Sequence, residues 1–434
     1  MRELKINDKL IYKEFENDIL MFDELNKLLN NGFSLRKSIF IAPLVTNGKI
    51  DYLLSAFKLD FNKDIIKQIN DLYEEKEILY PDFNDTILND ISGIRKNFGY
   101  SYKYNFDKNI FNKKYKNCIV MLLDGLGENV LNYHLKDSFL KSHHLYSRHA
   151  IYPSTTAAST TSTITGLTPL ETSWTGWSNY IKEMGKEVIL FTGEDYYTGE
   201  STGVSGFKLM PTKPFFSDMN INSYQAMPDF SKPDLKEILK NSLKNLKKDK
   251  ENVEYVYYTE PDGLMHEFGT YSQKVNLELK KIDELIKDYV AKLPEDTLLI
   301  ISADHGHIPV KRINLFKCEA IMKCLKTKPS NDSRCMVFRV KDNMKEEFED
   351  TFNKLFSNVY KLFKSSDAIK NGYFGNPLGF IHERINDFLG DYVAFATNEY
   401  YFNVIENKLD FIFKSHHAGI TKDEMLVPVI VIRK

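Results

Sequence analysis

Cys118-Ile119-Val120-Met121-Leu122-Leu123-Asp124-Gly125 is the stretch of the chain that decides its fold class. Its apolar residues show none of the alternation that a strand with one solvent-exposed face requires, so both faces of this strand should be covered. Strands covered on both faces are typical of parallel sheets with helices on either side. In open parallel sheets, ligands bind beyond the carboxyl ends of the strands, and Asp124 stands at that point.

Further apolar runs predict the rest of an α/β sheet. A helix with apolar residues at steps of three and four, 275–293, lies between strands predicted at 253–258 and 297–302. A strand, a helix and a strand in this order form a crossover unit, which implies parallel pairing. Other strands are predicted at 187–191 and 425–432. The fold class that we expect is α/β, with a mostly parallel central sheet and helices on both faces.

The ranges outside this pattern predict how the chain is divided. Residues 1–112 contain none of the candidate ligands and mix an apolar patch with a helical stretch at 64–73, which predicts an N-terminal α+β extension of unknown role. Residues 309–413 also lack a site motif but contain strand-like and helical pieces, which predicts an inserted cap subdomain. The α/β core then comprises 113–308 and 414–434. A chain of 434 residues is long enough for two or three such units.

Composition and charge exclude several classes of protein. The formal net charge of −2 provides no global basic field for nucleic acid. No apolar run is long enough for a membrane span, and the charged N-terminal residues do not resemble a signal peptide. We therefore expect a cytoplasmic protein. The four cysteines contain no C-x-x-C pair, so neither a zinc ribbon nor a disulfide framework is expected.

Clusters of aspartate and histidine are strung along the core, most of them after an apolar run. They are Asp124; Asp262 and His266; Asp304, His305 and His307; and His416 and His417. Each cluster has a structural explanation when taken alone: an aspartate can cap a helix, and residues four apart can form a surface pair. Together, carboxylates and imidazoles at strand ends predict a centre for two metal ions in a hydrolase. Asp304-His305-Gly306 is the sharpest signal, and its glycine would let the backbone turn tightly.

A cluster of hydroxyl side chains supplies a candidate nucleophile. Ser154-Thr155-Thr156-Ala157-Ala158-Ser159-Thr160 follows Pro153 and leads towards Thr165-Gly166. A hydroxyl at the first turn of a helix lies at the positive end of the helix dipole, which favours the alkoxide. The alternative is a capping residue followed by a packed threonine-rich helix. The pattern itself does not decide which hydroxyl would react.

The order Asp…Thr…Asp-x-x-x-His…Asp-His-Gly…His resembles the alkaline phosphatase superfamily, in particular its nucleotide pyrophosphatase/phosphodiesterase branch. The resemblance covers about 118–434. It implies two divalent metal ions and a threonine nucleophile at Thr156, with Thr155 and Ser154 as alternatives of register. The first ion would be held by Asp262, His266 and His417, and the second by Asp124, Asp304, His305 and Thr156.

What the resemblance implies for substrates follows from the same branch. The activity would be hydrolysis of phosphodiester or pyrophosphate bonds in a small, nucleotide-like molecule, through a covalent phospho-threonine. Ser159 stands where the branch usually has an asparagine that contacts the phosphoryl group, so Ser159 is a candidate substrate contact. His307 is a second candidate, and supporting a metal ligand or having no part in the site are the alternatives for it. The mixed ligands suit Zn²⁺, with Mn²⁺ as its rival. A phosphomonoesterase of the same superfamily and a non-catalytic metal-binding adaptor are the alternatives, and the oligomeric state is not predicted.

Overall fold

The structure is a computed structural model that describes residues 76–228, 233–405 and 412–434, together with the backbone of five strands in the first 57 residues. These strands form an antiparallel sheet of their own. Their bounds are Glu3–Asn7, Leu10–Glu14, Ser34–Leu35, Phe40–Thr46 and Lys49–Phe57. The helix predicted at 64–73 lies outside the described residues. The division of the chain at residue 112 stays a prediction.

A six-stranded sheet forms the centre of the α/β core. Its strands lie in the spatial order Asn222–Ala226, Asn252–Tyr258, Asn117–Leu123, Thr297–Ser302, Leu426–Arg433 and His144–His149. The first four pair in parallel, whereas Leu426–Arg433 runs antiparallel to both of its neighbours. The prediction of a mostly parallel central sheet is confirmed. Every residue of Asn117–Leu123 is buried, which accounts for its continuous apolar character.

One face of this sheet is covered by helices Glu128–His134, Leu235–Asn245 and Gln273–Lys292. They pack against alternate residues of the central strand, beginning at Ile119. The longest of them begins where Ser272 accepts a hydrogen bond from the backbone N–H three residues later. Its buried residues recur at steps of three and four, as the sequence predicted.

The opposite face is covered by helix Ile87–Asn97, which packs against the other alternate residues of the strand, beginning at Cys118. This helix belongs to the range that the sequence predicted as an N-terminal extension, yet it contributes to the core under the sheet. Its first turn is closed by a capping box. The side chain of Thr86 accepts a hydrogen bond from a backbone N–H of the first turn, and the side chain of Asn89 accepts one from the backbone N–H of Thr86. Helices on both faces explain why the central strands do not alternate.

The segment 309–413 contains a separate four-stranded antiparallel sheet. Its strands lie in the order Ser330–Asp332, Cys335–Phe338, Tyr392–Ala396 and Tyr360–Lys364. Helix Lys345–Phe356 packs on this sheet through Phe348 and Phe352, which are fully buried in a core separate from those of the central sheet. We refer to this part of the chain as the cap; its role as an inserted subdomain stays a prediction.

The predicted strand at 187–191 is present as Lys186–Ile189, but it lies outside the central sheet. It pairs with Ser178–Ile181 in a local hairpin, whose turn contains Gly185 in the left-handed conformation, with φ of 63°. Glycine adopts this conformation without steric cost, so the turn returns the chain directly. A short apolar run looks the same whether it is buried in a sheet or in a satellite hairpin.

The remaining elements are short. Further helices are Phe139–Ser142, Thr156–Thr165, Pro169–Thr172, Gly206–Leu209, Asp262–Phe268, Leu315–Lys317, Glu319–Met322, Asp342–Met344, Ser365–Lys370, Ile385–Leu389 and Lys422–Met425. Ile308–Pro309 pairs with Ser415–His416, and Lys311–Asn314 pairs with Tyr400–Asn403. None of the described helices combines the length and the apolar character that crossing a membrane requires.

Candidate metal centre

The predicted ligands come from the carboxyl ends of three adjacent parallel strands. Asp124 follows Asn117–Leu123 directly, and Asp304 follows Thr297–Ser302 after one residue. Asp262 opens a short helix after Asn252–Tyr258. These three strands are neighbours in the sheet, so their ends meet at one edge. A later segment with His416 and His417 returns to this edge and pairs with Ile308–Pro309.

One group of side chains converges on His305. Its Nε2 lies 3.4 Å from Asp124 Oδ1 and 3.5 Å from Asp304 Oδ2. The hydroxyl oxygen of Thr156 lies 3.3 Å from the same nitrogen. The residues predicted for the second ion are therefore together in the structure.

The two carboxylates in this group each have one oxygen that is bonded and one that is not. Tyr257 donates its hydroxyl to Asp124 Oδ2, and the backbone N–H groups of Gly125 and His305 donate to Asp304 Oδ1, each at 3.0 Å. Asp124 Oδ1 and Asp304 Oδ2 are buried and have no hydrogen-bond partner among the described residues. A buried, unpartnered carboxylate oxygen is costly unless a cation binds it. The donor set therefore fits a divalent ion.

The pKa values of the two carboxyl groups also indicate a site for a cation. Burial raises the pKa of Asp124 well above its usual value, and the neighbouring charges of Asp304 and Asp262 raise it further. Burial also raises the pKa of Asp304. Two carboxylates that repel each other in a buried site are stabilised as anions by a metal ion between them.

A second group adjoins the first and centres on Asp262. Asp262 Oδ1 lies 2.7 Å from His307 Nε2, 3.4 Å from His266 Nε2 and 3.7 Å from His417 Nε2. One ligand atom from each of these residues lies within 4.8 Å of all the others, and Asp262 also lies within that distance of Asp124 and His305. The residues predicted for the first ion are thus together, and His307 joins them.

Three of these imidazoles are oriented by backbone carbonyl groups. Nδ1 of His266 lies 2.9 Å from the oxygen of Ser415, and Nδ1 of His417 lies 3.1 Å from the oxygen of Ser154. Nδ1 of His305 lies 3.1 Å from the oxygen of Gly306. Because a carbonyl oxygen only accepts, each Nδ1 carries the proton and each Nε2 keeps its lone pair. This is the tautomer of a histidine that binds a metal through Nε2.

His307 is fixed in a similar way by a hydroxyl group. Ser415 donates to the carbonyl oxygen of Met265 at 2.6 Å, so its oxygen accepts from Nδ1 of His307 at 3.0 Å. The lone pair of His307 Nε2 then faces the Asp262 carboxylate. Burial lowers the pKa of His307 to about 3, so a proton does not supply the missing charge at neutral pH. A cation bound by both atoms would satisfy them.

The charge of Asp262 is stabilised even without an ion. Burial alone would raise its pKa, but Coulombic attraction to His266 holds that pKa well below its usual range in the ion-free protein. Asp262 is therefore an anion at neutral pH, as a metal ligand must be.

Thr156 is the first residue of helix Thr156–Thr165. Ser154 and Thr155 were the alternative nucleophiles. The Ser154 hydroxyl donates to the carbonyl oxygen of Gly419 at 2.8 Å, and Thr155 is a buried residue that directly precedes the helix. Ser159 is buried one turn later, with its hydroxyl 3.4 Å from the carbonyl oxygen of Ile151. Among these, the hydroxyl of Thr156 is the one that meets His305. A role for Ser159 in substrate binding stays a prediction.

Gly306 serves the site in a way that the sequence did not reveal. A Cβ atom at this position would lie 1.9 Å from the carbonyl oxygen of Asp423, so only glycine allows the two backbones to approach. The φ angle of Gly306 is not positive, so its backbone conformation alone does not require glycine. The close approach places the loop that carries Asp304 and His305 against the C-terminal segment.

A pocket of about 520 Å³ opens beside the centre. Its floor includes Thr156, Asp262, His266 and His417. Its other residues are Thr155, Trp177, Tyr196, Asn331, Asp332, Ser333, Tyr401, Phe402, Asn403, Ile405, Phe413 and His416. Most of the walls come from the cap and from the segment around Trp177. The cap residues that line the pocket belong to no sequence motif, and His307 is not among the lining residues.

Comparisons with known proteins identify a matching family model and similar solved structures. The family model of type I phosphodiesterases and nucleotide pyrophosphatases matches residues 118–417. No curated protein matches the chain. Murine ectonucleotide pyrophosphatase/phosphodiesterase 5 has a similar solved structure, with a TM-score of 0.57 at 15% identity over 73% of this chain and 88% of its own. An inactive threonine-to-alanine variant of that murine protein is solved in complex with AMP.

A bacterial enzyme shares the same architecture. Phosphonoacetate hydrolase from Sinorhizobium meliloti has a TM-score of 0.53 at 14% identity, covering 73% of this chain and 89% of its own. These identities are low, so the likeness shows the fold, whereas the family match rests on the sequence itself. Because that match spans more than half of the 434 residues, the chain belongs to the type I phosphodiesterase/nucleotide pyrophosphatase family.

Proposed function

We propose that this protein is a metal-dependent hydrolase of phosphodiester or pyrophosphate bonds that works through a covalent intermediate on Thr156. The observation that supports this most directly is the position of the Thr156 hydroxyl. It lies 3.3 Å from His305 Nε2, beside buried carboxylate oxygens of Asp124 and Asp304 that have no partner among the described residues, and Thr156 lines the pocket. A hydroxyl so placed has a use in catalysis that a purely metal-binding adaptor would lack.

Two ions are proposed, one in each group of ligands. Asp262, His266, His307 and His417 would hold the first, and Asp124, Asp304, His305 and Thr156 would hold the second. Nitrogen and carboxylate ligands suit Zn²⁺, with Mn²⁺ as the alternative. When bound, such ions lower the pKa of a neighbouring hydroxyl and stabilise the charge on a transferring phosphoryl group.

The chain's own residues would carry the reaction in two displacements. The Thr156 hydroxyl loses its proton to solvent and its oxygen attacks phosphorus, while the bond from phosphorus to the leaving oxygen breaks. The leaving group departs and takes a proton from solvent. A water molecule then attacks the phospho-threonine and breaks its P–Oγ bond, which restores the hydroxyl and releases a phosphate monoester. The helix that begins at Thr156 favours negative charge at this oxygen.

A small molecule with an aromatic or apolar portion fits the pocket. Trp177, Tyr196 and Phe413 line it, and planar groups stack on such side chains. The murine relative binds AMP, and a nucleotide-like substrate is proposed for this chain on that likeness. Monoester dianions usually need a nearby arginine or lysine. None lines this pocket among the described residues, which favours diesters over monoesters.

Thr156→Ala tests the proposal. The variant should lose hydrolysis of bis(p-nitrophenyl) phosphate while it keeps most of its bound metal, because the remaining ligands are unchanged. We would measure turnover, metal content by mass spectrometry and the phosphorylation of Thr156 in acid-quenched wild-type protein. Thr155→Ala is the matched control, since it removes the neighbouring hydroxyl.

Two results would contradict this assignment. Full activity of Thr156→Ala would exclude Thr156 as the nucleophile. Loss of activity in Thr155→Ala alone would identify Thr155 as the nucleophile instead. A wild-type protein that binds two ions and hydrolyses no diester or pyrophosphate would support the metal-binding adaptor instead.

A further inference from the structure

The tip of one hairpin in the cap enters the pocket. Its strands are Ser330–Asp332 and Cys335–Phe338, which leaves Ser333 and Arg334 as the turn. Asn331, Asp332 and Ser333 line the pocket together with Thr156. The cap therefore supplies polar groups to the space in which a substrate would lie.

This tip is held firmly against the core. The guanidinium of Arg334 donates to both carboxylate oxygens of Glu424, at 2.6 and 2.7 Å, and both side chains are fully buried. Ser333 Oγ lies 2.9 Å from Nε2 of His416. The position of Asp332 is thus fixed by contacts on the residues that follow it.

Asp332 places a carboxylate in the pocket. The backbone N–H of Trp177 donates to its Oδ2 at 3.0 Å, and more than nine-tenths of the residue is buried. Burial raises its pKa to about 6, so the group is an anion at pH 8. No lysine or arginine stands among the described residues that line the pocket, and the other carboxylate there belongs to Asp262.

Building on the function proposed above, we propose that Asp332 is a specificity-determining residue that selects, between the two bond types, phosphodiesters whose second substituent is uncharged or cationic over pyrophosphates and monoesters. A second negative charge on the phosphoryl group, or a further phosphate on the substituent, would face this carboxylate in an enclosed space. A neutral or cationic substituent would meet no such repulsion. It would instead stack on the aromatic walls that Trp177 and Tyr196 provide.

Three substrates with the same chromophore separate these cases: p-nitrophenyl phosphorylcholine, bis(p-nitrophenyl) phosphate and p-nitrophenyl phosphate. Asp332→Asn keeps the shape and the oxygen that accepts from Trp177, but it removes the charge. At pH 8 the variant should raise kcat/KM for the monoester relative to the neutral diester by at least about tenfold, and it should lower kcat/KM for the choline diester. Asp350→Asn is the control, because it removes a charge from an exposed position of the cap outside this pocket.

A binding measurement makes the result independent of turnover. Titration of the metal-loaded protein with inorganic phosphate should show affinity at least about tenfold higher in Asp332→Asn than in the wild type. Equal phosphate affinity and an unchanged order of the three substrates, in a variant with wild-type metal content and unfolding temperature, would overturn the role of Asp332. A metal-loaded wild type that hydrolyses neither diester and no pyrophosphate bond would overturn the proposed function instead.

Discussion

The burial of His307 narrows the roles that this side chain can have in the site. From the sequence, its role was open among supporting a ligand, facing a substrate and neither. The structure buries it completely, with Nδ1 on the hydroxyl of Ser415 and Nε2 2.7 Å from Asp262. A group so placed would act on the candidate centre through a metal ligand or as one, because it does not line the pocket.

His307→Asn should weaken the binding of one of the two ions. Loss of a ligand or of its direct supporting partner costs roughly 10–100-fold in metal affinity. Competition with a chromogenic zinc chelator measures both affinities, and the ion near Asp124 and Asp304 should be retained. His143→Asn serves as the control, since His143 lies at the end of a short helix away from the centre. Two ions bound as tightly as in the wild type would show that His307 has no part in the site.

Single residues also mark the limit of prediction from the sequence. Asp124, Asp304 and His305 could be predicted because each follows a strongly apolar strand, and strand ends are where parallel sheets place their sites. Asp332 could not be predicted, because its hairpin carries no motif and reaches the pocket only through the packing of the cap on the core. The sequence drew attention to Gly306 beside the candidate ligands, but it could not show why a glycine is needed there. The carbonyl oxygen of Asp423, which leaves no room for a side chain, belongs to a segment more than 100 residues later.

Among the elements, the cap hairpin and the helix Lys422–Met425 are joined by the buried pair of Arg334 and Glu424. The same glutamate accepts from the N–H of Gly419 at 2.7 Å, and its carbonyl oxygen accepts from the N–H of Gly306 at 2.9 Å. Two loops that carry candidate metal ligands and the tip that carries Asp332 therefore share one anchor.

Arg334→Met should destabilise the fold strongly, because it leaves the Glu424 carboxylate buried without its partner. Breaking a buried pair in this way costs about 3–5 kcal/mol. Urea unfolding of the metal-loaded protein measures the loss, and the double variant with Glu424→Gln should recover part of it. Lys326→Met, which breaks an exposed pair with Asp342 in the cap, should leave the unfolding curve unchanged. Arg334→Met with a wild-type midpoint would show that the pair does not anchor the hairpin.

Prediction at the level of elements succeeded where the pattern was long. Helix Gln273–Lys292 and the strands on either side of it agree with the periodicity of their apolar residues. The run at 187–191 was too short to reveal its partner, and it forms a local hairpin with Ser178–Ile181. The pairing of Leu426–Arg433 in the antiparallel direction was not predicted either, since an apolar strand looks the same in both directions.

Across the whole molecule, the metal centre joins segments that are far apart in the chain. Its candidate ligands extend from Asp124 to His417, and they come from strand ends, a short helix and a C-terminal loop. A bound ion is therefore a cross-link within the folded state and has no equivalent in the unfolded chain.

Removal of the ions should lower the unfolding temperature by several degrees. A ligand at 1,000 times its Kd stabilises the folded state by about 4.1 kcal/mol, and this stabilisation is lost when the ion is removed. Differential scanning calorimetry before and after chelation measures the shift, which re-added Zn²⁺ should reverse. Asp262→Asn should show a smaller shift than the wild type. An unfolding temperature that does not respond to chelation would exclude tightly bound structural ions.

The position of Leu426–Arg433 between Thr297–Ser302 and His144–His149 has a consequence for biosynthesis. Ribosomes make Asp124 roughly three hundred residues before His417, and the strand that completes the sheet comes later still. A nascent chain therefore holds incomplete ligand sets and an open sheet edge until residues 417–433 are made. Metal loading should be a post-translational event, and a ribosome stalled before residue 417 should carry a polypeptide that retains neither ion tightly.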